Sequence, residues 1–344
     1  MANISDVLSD IAITRSLILQ RVSNGLSRQV ADVYTDIIDE IVDSIKTARP
    51  VTLRNMETTI KELKKRVTPD INFIFDDLEE LAVTESAFAI SSTNKAVGAV
   101  VFSKIPPEAT IRNIMNVTLL SDGKRADTLD KWFGGVDKRM ESDLEGAIKL
   151  SVTNGRNNAE IAQNVNDIMG VNVNHAKSWT RTAVSMISNE ANDAVWDANS
   201  DVIRGKEANA VIDFLTSFGC AVRDTALYSL DLKPLNEKAK LHPYEPAPRH
   251  PNCRLKYTVV LKTFKELGIP IEEIDVGTRS SLDGQIRADI PFTKWFESKT
   301  KAQQEKYLGI SRYKLYKDGK INFNDLVNQE GIEISVKELT EKYS

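Results

Sequence analysis

Residues 242–257, His-Pro-Tyr-Glu-Pro-Ala-Pro-Arg-His-Pro-Asn-Cys-Arg-Leu-Lys-Tyr, constrain this chain more than any other stretch. Four prolines (Pro243, Pro246, Pro248, Pro251) fall within nine positions. Each fixes φ, removes a backbone donor and pushes the residue before it towards an extended conformation, so little regular structure can form. The stretch also holds two of the three histidines and one of the two cysteines. Directly after it, Tyr257-Thr258-Val259-Val260-Leu261 is a β-branched, aromatic run of strand length, and Ala210-Val211-Ile212-Asp213-Phe214-Leu215 is a similar run upstream. The pattern predicts a rigid, irregular loop inserted between two strands.

Around this insert the chain reads as mainly helical, an α+β protein with long N-terminal helices. Residues 4–48 lack proline, and Leu26, Val30, Val33, Ile37, Ile41 and Ile45 form one apolar stripe, with Asp32, Asp36, Asp39, Glu40 and Asp43 opposite. Gly25 is a candidate break. A Lys-rich helix is expected over 53–67 and another over 71–97, with 99–107 as a link. Leu129–Ser151 reads as a further helix with Trp132 in its core. Asn154-Gly155 stops it, and Asn157 to Glu160 restarts a short helix expected to end at Gly170. A longer helix, rich in small residues, is expected from Ala176 to Asp201, with His175 as a cap or surface residue before it. After the insert, a linker to about Asp289 leads to a small helical module opened by Phe292 to Phe296. The expected division is 1–120, 121–270 and 271–344.

With 344 residues, 41% of them hydrophobic and 27% charged, the chain can bury a core without staples. The net charge of −4 gives no global drive towards nucleic acid. Residues 221–262 are a local exception, with eight Lys/Arg against four Asp/Glu. Two cysteines 33 positions apart make no disulfide framework, which suits a reducing compartment or a particle assembled in one. No apolar run approaches the roughly 18 residues of a membrane span. The start of the chain, with Asp6 and Asp10, does not read as a secretory signal.

The chemistry-bearing residues are few. Cys220, His242, His250 and Cys253 are the set that could converge on a metal, and two thiolates with two imidazoles match the tetrahedral preference of zinc. Their spacing is not the usual paired one. Proline restriction, or Arg249 and Arg254 bonding to carbonyls, would order the loop without metal. A Cys253–His nucleophilic pair lacks an orienting third residue, and a strand rather than a helix start follows it. Arg181 and Glu190 have no second carboxylate or nucleophile at useful spacing and read as structural. The aromatics and lysines of residues 292–316 could stack on nucleic acid, but such spacings more often build core. No phosphate-binding glycine loop is present.

The order Asn157-Ala159-Glu160-Ile161-Ala162, Thr180-Arg181-Thr182 with its small-residue helix, Cys220, and Arg249-His250-Pro251-Asn252-Cys253-Arg254 resembles the Mu F-like phage head morphogenesis proteins, or minor capsid proteins, over roughly residues 120–262. Further cysteines common in that family fall here at Arg223 and Leu255. The resemblance implies a non-enzymatic virion component, made in the host cytoplasm and placed inside the phage head. It implies binding to the portal protein, with scaffold or major capsid protein as further partners, and a role in assembly and DNA delivery. Residues 1–120 would then serve portal or capsid interaction. The reading from another class is an enzyme or DNA-binding module acting on nucleic acid through residues 221–262.

Overall fold

The structure is a computed structural model that describes residues 4–67, 69–116, 120–121, 124–125, 128–250, 252–263, 265–266, 278–328 and 331–343. In chain order the elements are α1 (Ile4–Thr47), α2 (Met56–Lys64), α3 (Asn72–Val97), α4 (Glu108–Arg112), β1 (Leu120–Ser121), β2 (Lys124–Arg125), α5 (Leu129–Thr153), α6 (Asn158–Ala198), β3 (Ile203–Ala210), α7 (Phe218–Ala221), β4 (Leu227–Ser229), α8 (Glu237–Leu241), β5 (Leu255–Leu261), β6 (Thr278–Ser281), β7 (Gly284–Arg287), α9 (Phe292–Glu297), α10 (Lys301–Leu308), α11 (Ile310–Lys317) and α12 (Val336–Tyr343). The protein is therefore mainly α with small antiparallel sheets, the α+β class expected. Among the described residues no helix is long and apolar enough to cross a membrane.

The chain divides into two compact units, one made of 1–18, 84–111 and 188–344, the other of 19–83 and 112–187. This differs from three consecutive segments. The passages between the units fall within α1, α3 and α6 and at the end of α4.

In the second unit the helices follow their apolar stripes. Leu26, Val30, Tyr34, Ile38, Ile41 and Ile45 are among the buried positions of α1, so Tyr34 and Ile38 take the places expected of Val33 and Ile37. Buried Ser23 and Ser27 donate to the carbonyls of Gln20 and Asn24, so their hydroxyls cost no unpaired polar group. Gly25 does not interrupt the helix. A mid-helix glycine costs about 1 kcal/mol, less than each large apolar side chain of the stripe returns on burial, about 1.5–3 kcal/mol. The same balance corrects the expected stop at Gly170. Ile161, Val165, Met169, Asn172, Val173, Ala176 and Thr180 carry one buried stripe straight through it, and Asn172 Nδ2 donates to Asp143 Oδ2 (2.7 Å). His175 accordingly sits in mid-helix, half-buried, rather than at a start. Asn157 and Glu160 do start α6, each side chain accepting from the other's backbone N–H. Asn158 then ties this end to α1, accepting from Val51 N and donating to Ile45 O. The side chain of Trp132 lies outside the described residues.

In the first unit, β3 is the centre of a three-stranded antiparallel sheet ordered β4-β3-β5. β5 matches the expected downstream strand. The upstream strand lies earlier than expected, because Lys206 and Glu207 disguise it: Lys206 is buried but reaches Asp193 Oδ1 (2.5 Å). The run from Val211 to Leu215 bends instead of continuing. Asp213 accepts from Leu215 N (2.9 Å), an Asx turn that ends the ladder. Gly205 is needed in β3, since a Cβ there would collide with the carbonyl of Tyr228. Residues 264 and 267–277 of the expected linker lie outside the described residues, while 278–287 form the β6–β7 hairpin.

Beyond the hairpin, Phe292, Trp295, Phe296, Leu308, Tyr313, Phe323 and Leu326 pack as an aromatic core with Ile212, Phe218, Ala221 and Val222 of the insert. These aromatics are core, and Tyr307 OH donates to Thr216 O (2.7 Å). Buried Asp224 fixes the junction. Its carboxylate accepts from Ala210 N (2.8 Å), Phe292 N (2.7 Å) and both terminal nitrogens of Arg279 (3.0 and 2.5 Å).

Candidate metal centre

The insert between β3 and β5 brings residues far apart in sequence to one point. Cys220 lies on α7, a single turn capped by Ser217, whose Oγ accepts from Cys220 N (3.3 Å). His250 and Cys253 lie on the turn before β5, where Cys253 N donates to His250 O (3.1 Å) and Asn252 has φ of 57°. Asparagine tolerates that left-handed conformation better than other residues with a Cβ. Cys220, His250 and Cys253 place their ligand atoms within 4.8 Å of one another. Cys220 Sγ is 3.4 Å from His250 Nε2 and 3.7 Å from Cys253 Sγ.

A zinc ion bonded at roughly 2.3 Å to sulfur and 2.0–2.1 Å to nitrogen needs tetrahedral edges of about 3.8 Å between sulfurs and about 3.5 Å between sulfur and nitrogen. The observed separations match both, so these three residues could hold a metal ion. The thiols also share their protons unequally. Cys220 is lowered to about 6, chiefly because Cys253 donates to its sulfur, with further help from Ser217 and Arg249 against the cost of burial. Cys253 is pushed well above the ordinary thiol range as the donor. The contact between the sulfurs favours ionisation of one of them, and a thiolate is the form that a soft metal requires.

His242, expected as the fourth ligand, is not in this cluster. Its buried ring faces Asn324, with Nε2 3.1 Å from Oδ1, and burial lowers its basicity. The prolines explain the separation, since they stiffen the seven residues between His242 and His250 and carry the chain away from the first ring. Arg223 and Leu255, where the family's further cysteines would fall, are not ligands either. Leu255 is core, and Arg223 donates to Gly219 O (3.1 Å) and Glu245 Oε1 (3.0 Å).

The rest of the loop is pinned by polar ties. Arg249 also pairs with Glu245, and Arg254 with Asp213 Oδ2 (2.5 Å). Tyr228 OH donates to His242 O (2.5 Å), Tyr257 OH to Glu245 O (2.7 Å) and Asn189 Nδ2 to Ala247 O (2.7 Å). Tyr228 meets Tyr244 and Tyr257 edge to face, and Tyr244 and Tyr257 lie tilted against each other, with centroids 4.8–6.2 Å apart. Elsewhere, Glu190 is half-buried beside Asp193, and burial followed by that carboxylate raises its pKa. Arg181 buries Nε without a hydrogen bond. Neither residue is among the ligand atoms of the thiol cluster.

Ser217 is the site residue that sequence reading overlooks. Its oxygen lies 3.0 Å from His250 Nε2. The available signal was Ser-x-x-Cys, a helix cap placing a cysteine on the first turn. No protein-family model matches this chain, and no curated protein or solved structure matches it either.

Proposed function

We propose that this protein is a structural minor head protein of a tailed phage, bound to the portal inside the procapsid, where it assists head assembly and DNA delivery. In this reading the His-Pro-Asn-Cys-Arg loop is locked by a structural zinc at Cys220, His250 and Cys253, and does no catalysis. One observation carries the proposal. The residues of the stretch that resembles the head proteins are spent on holding the insert closed. Cys253 and His250 face Cys220, while Arg249 and Arg254 pair with Glu245 and Asp213.

The basic residues of 221–262 support the same reading over a nucleic-acid enzyme. Arg223, Arg249 and Arg254 are ion-paired within the fold. Lys238 donates to Asp224 O, Lys256 to Asn189 Oδ1 and Lys262 to Asp201 O. Lys240 pairs with Glu237. Four of the eight pair with carboxylates and three more lysines donate to carbonyl or amide oxygens, so seven are tied within the fold rather than arrayed along a groove for a phosphate backbone.

The test is co-expression with portal protein and procapsid components. The protein is expected to co-purify with the portal and to enter particles, and Cys253→Ala is expected to lower zinc content and incorporation together. Turnover of nucleic acid that vanishes in Cys253→Ala and His250→Ala while particle entry is unchanged would sink the proposal.

A further inference from the structure

Three protein ligands leave one corner of a tetrahedron, and whether that corner is closed decides between a structural and a reactive metal site. We propose that Ser217 Oγ is the fourth donor, so that the site takes a zinc-type divalent ion in a closed set of two sulfurs, one nitrogen and one oxygen. The inference rests on the metal reading above and deepens it.

Ser217 is held at the corner by the local fold. Its oxygen caps α7 by accepting from Cys220 N, so it sits on the same turn as the first sulfur. The same oxygen lies 3.0 Å from His250 Nε2, the ring nitrogen that also faces Cys220 Sγ at 3.4 Å. It therefore adjoins one ligand atom directly and the backbone N–H of the residue that carries another. The present 3.0 Å is a hydrogen-bond length, and two donors on one ion stand about 3.3 Å apart, so ligation needs a shift of only a few tenths of an ångström. A hydroxyl oxygen has two acceptor sites, one for the Cys220 N–H and one for a metal.

Competing donors are committed elsewhere. Among the described residues no other His, Cys, Asp or Glu joins the cluster. His242 faces Asn324, and Asp213 is taken by Arg254 and by its own turn. Charge points the same way. Two thiolates neutralise a divalent ion, so a neutral hydroxyl closes the set without burying further charge.

Cobalt(II) bound to the full chain reads out the donor set. The wild type is expected to show intense tetrahedral d–d bands and thiolate-to-cobalt charge transfer. Ser217→Cys is expected to raise the charge-transfer intensity by about half, three sulfurs replacing two, and to tighten zinc binding. Ser217→Ala is expected to weaken zinc by about 10–100-fold. Because the alanine variant also loses the cap, the cysteine variant decides if it misfolds. If wild type binds cobalt but Ser217→Cys leaves its spectrum and zinc affinity unchanged, the fourth-donor assignment is overturned and the metal reading survives. A wild type that takes up neither cobalt nor zinc overturns both.

Discussion

In the helical unit the deeply buried side chains of α5 and α6 are mostly apolar and recur at helical spacing, Met140, Leu144, Ile161 and Val165 among them. In the insert between β3 and β5 a similar depth is reached by Arg223, Asp224 and His242. The first kind of burial is favourable residue by residue, whatever the partner. The second is favourable only when each group finds its own counterpart, and a missing counterpart leaves a costly buried charge. The helical unit should therefore degrade gradually under truncation, and the insert abruptly.

The largest expected effect tests this directly. Asp224→Ala strands the buried Arg279 and is expected to cost about 3–5 kcal/mol, read by urea unfolding of the full chain. Leu144→Ala, in the helical unit, is expected to cost about 2–5 kcal/mol by loss of packing. The contrast lies in rescue. Restoring volume with methionine should recover most of the leucine loss, whereas restoring volume at 224 with leucine should recover none. Equal rescue at the two sites would break the comparison.

A smaller effect concerns pH. Burial, opposed by the Asn324 contact, lowers the pKa of His242 below its ordinary value near 6.5. Below that value the unfolded chain takes up a proton that the folded ring resists. This contribution to stability is therefore full above about pH 6.5 and declines as pH falls towards the lowered folded value. His242→Gln, which keeps a donor for Asn324, is expected to flatten the midpoint-against-pH curve between about pH 7 and 5. An unaltered slope would assign the acid sensitivity to other groups.

The smallest effect is a gain. Gly170 lies inside α6 with open space where a Cβ would sit. Gly170→Ala is expected to stabilise by about 0.5–1 kcal/mol in thermal unfolding. A loss there would mean that the helix needs the glycine after all.

These contrasts also explain what the sequence disclosed. The long helices were legible because one stripe of apolar side chains recurs over many turns, and β5 because Tyr257 to Leu261 is β-branched and unbroken. Punctuation misled at Gly25 and Gly170, where a local cost is outweighed by a long buried face. β3 was hidden because Lys206 finds its partner, Asp193, on α6, outside any local window. The metal cluster was legible in three of its residues by type alone. Ser217 was not, since serine is common and only the cap on α7 gives this one a position. His242 misled for the converse reason, being scarce, near in sequence and turned elsewhere.

The interleaving of the two units bears on how such a chain can change over generations. The path passes between them four times, near residues 18, 83, 111 and 187. A domain entered and left once can be duplicated, deleted or exchanged as a block, its ends lying in exposed linkers. Here a single cut at any point leaves at least one unit without part of its core. Recombination with a related gene would preserve both units only by replacing most of the chain together, so the insert and the helices around it are expected to be inherited as one piece.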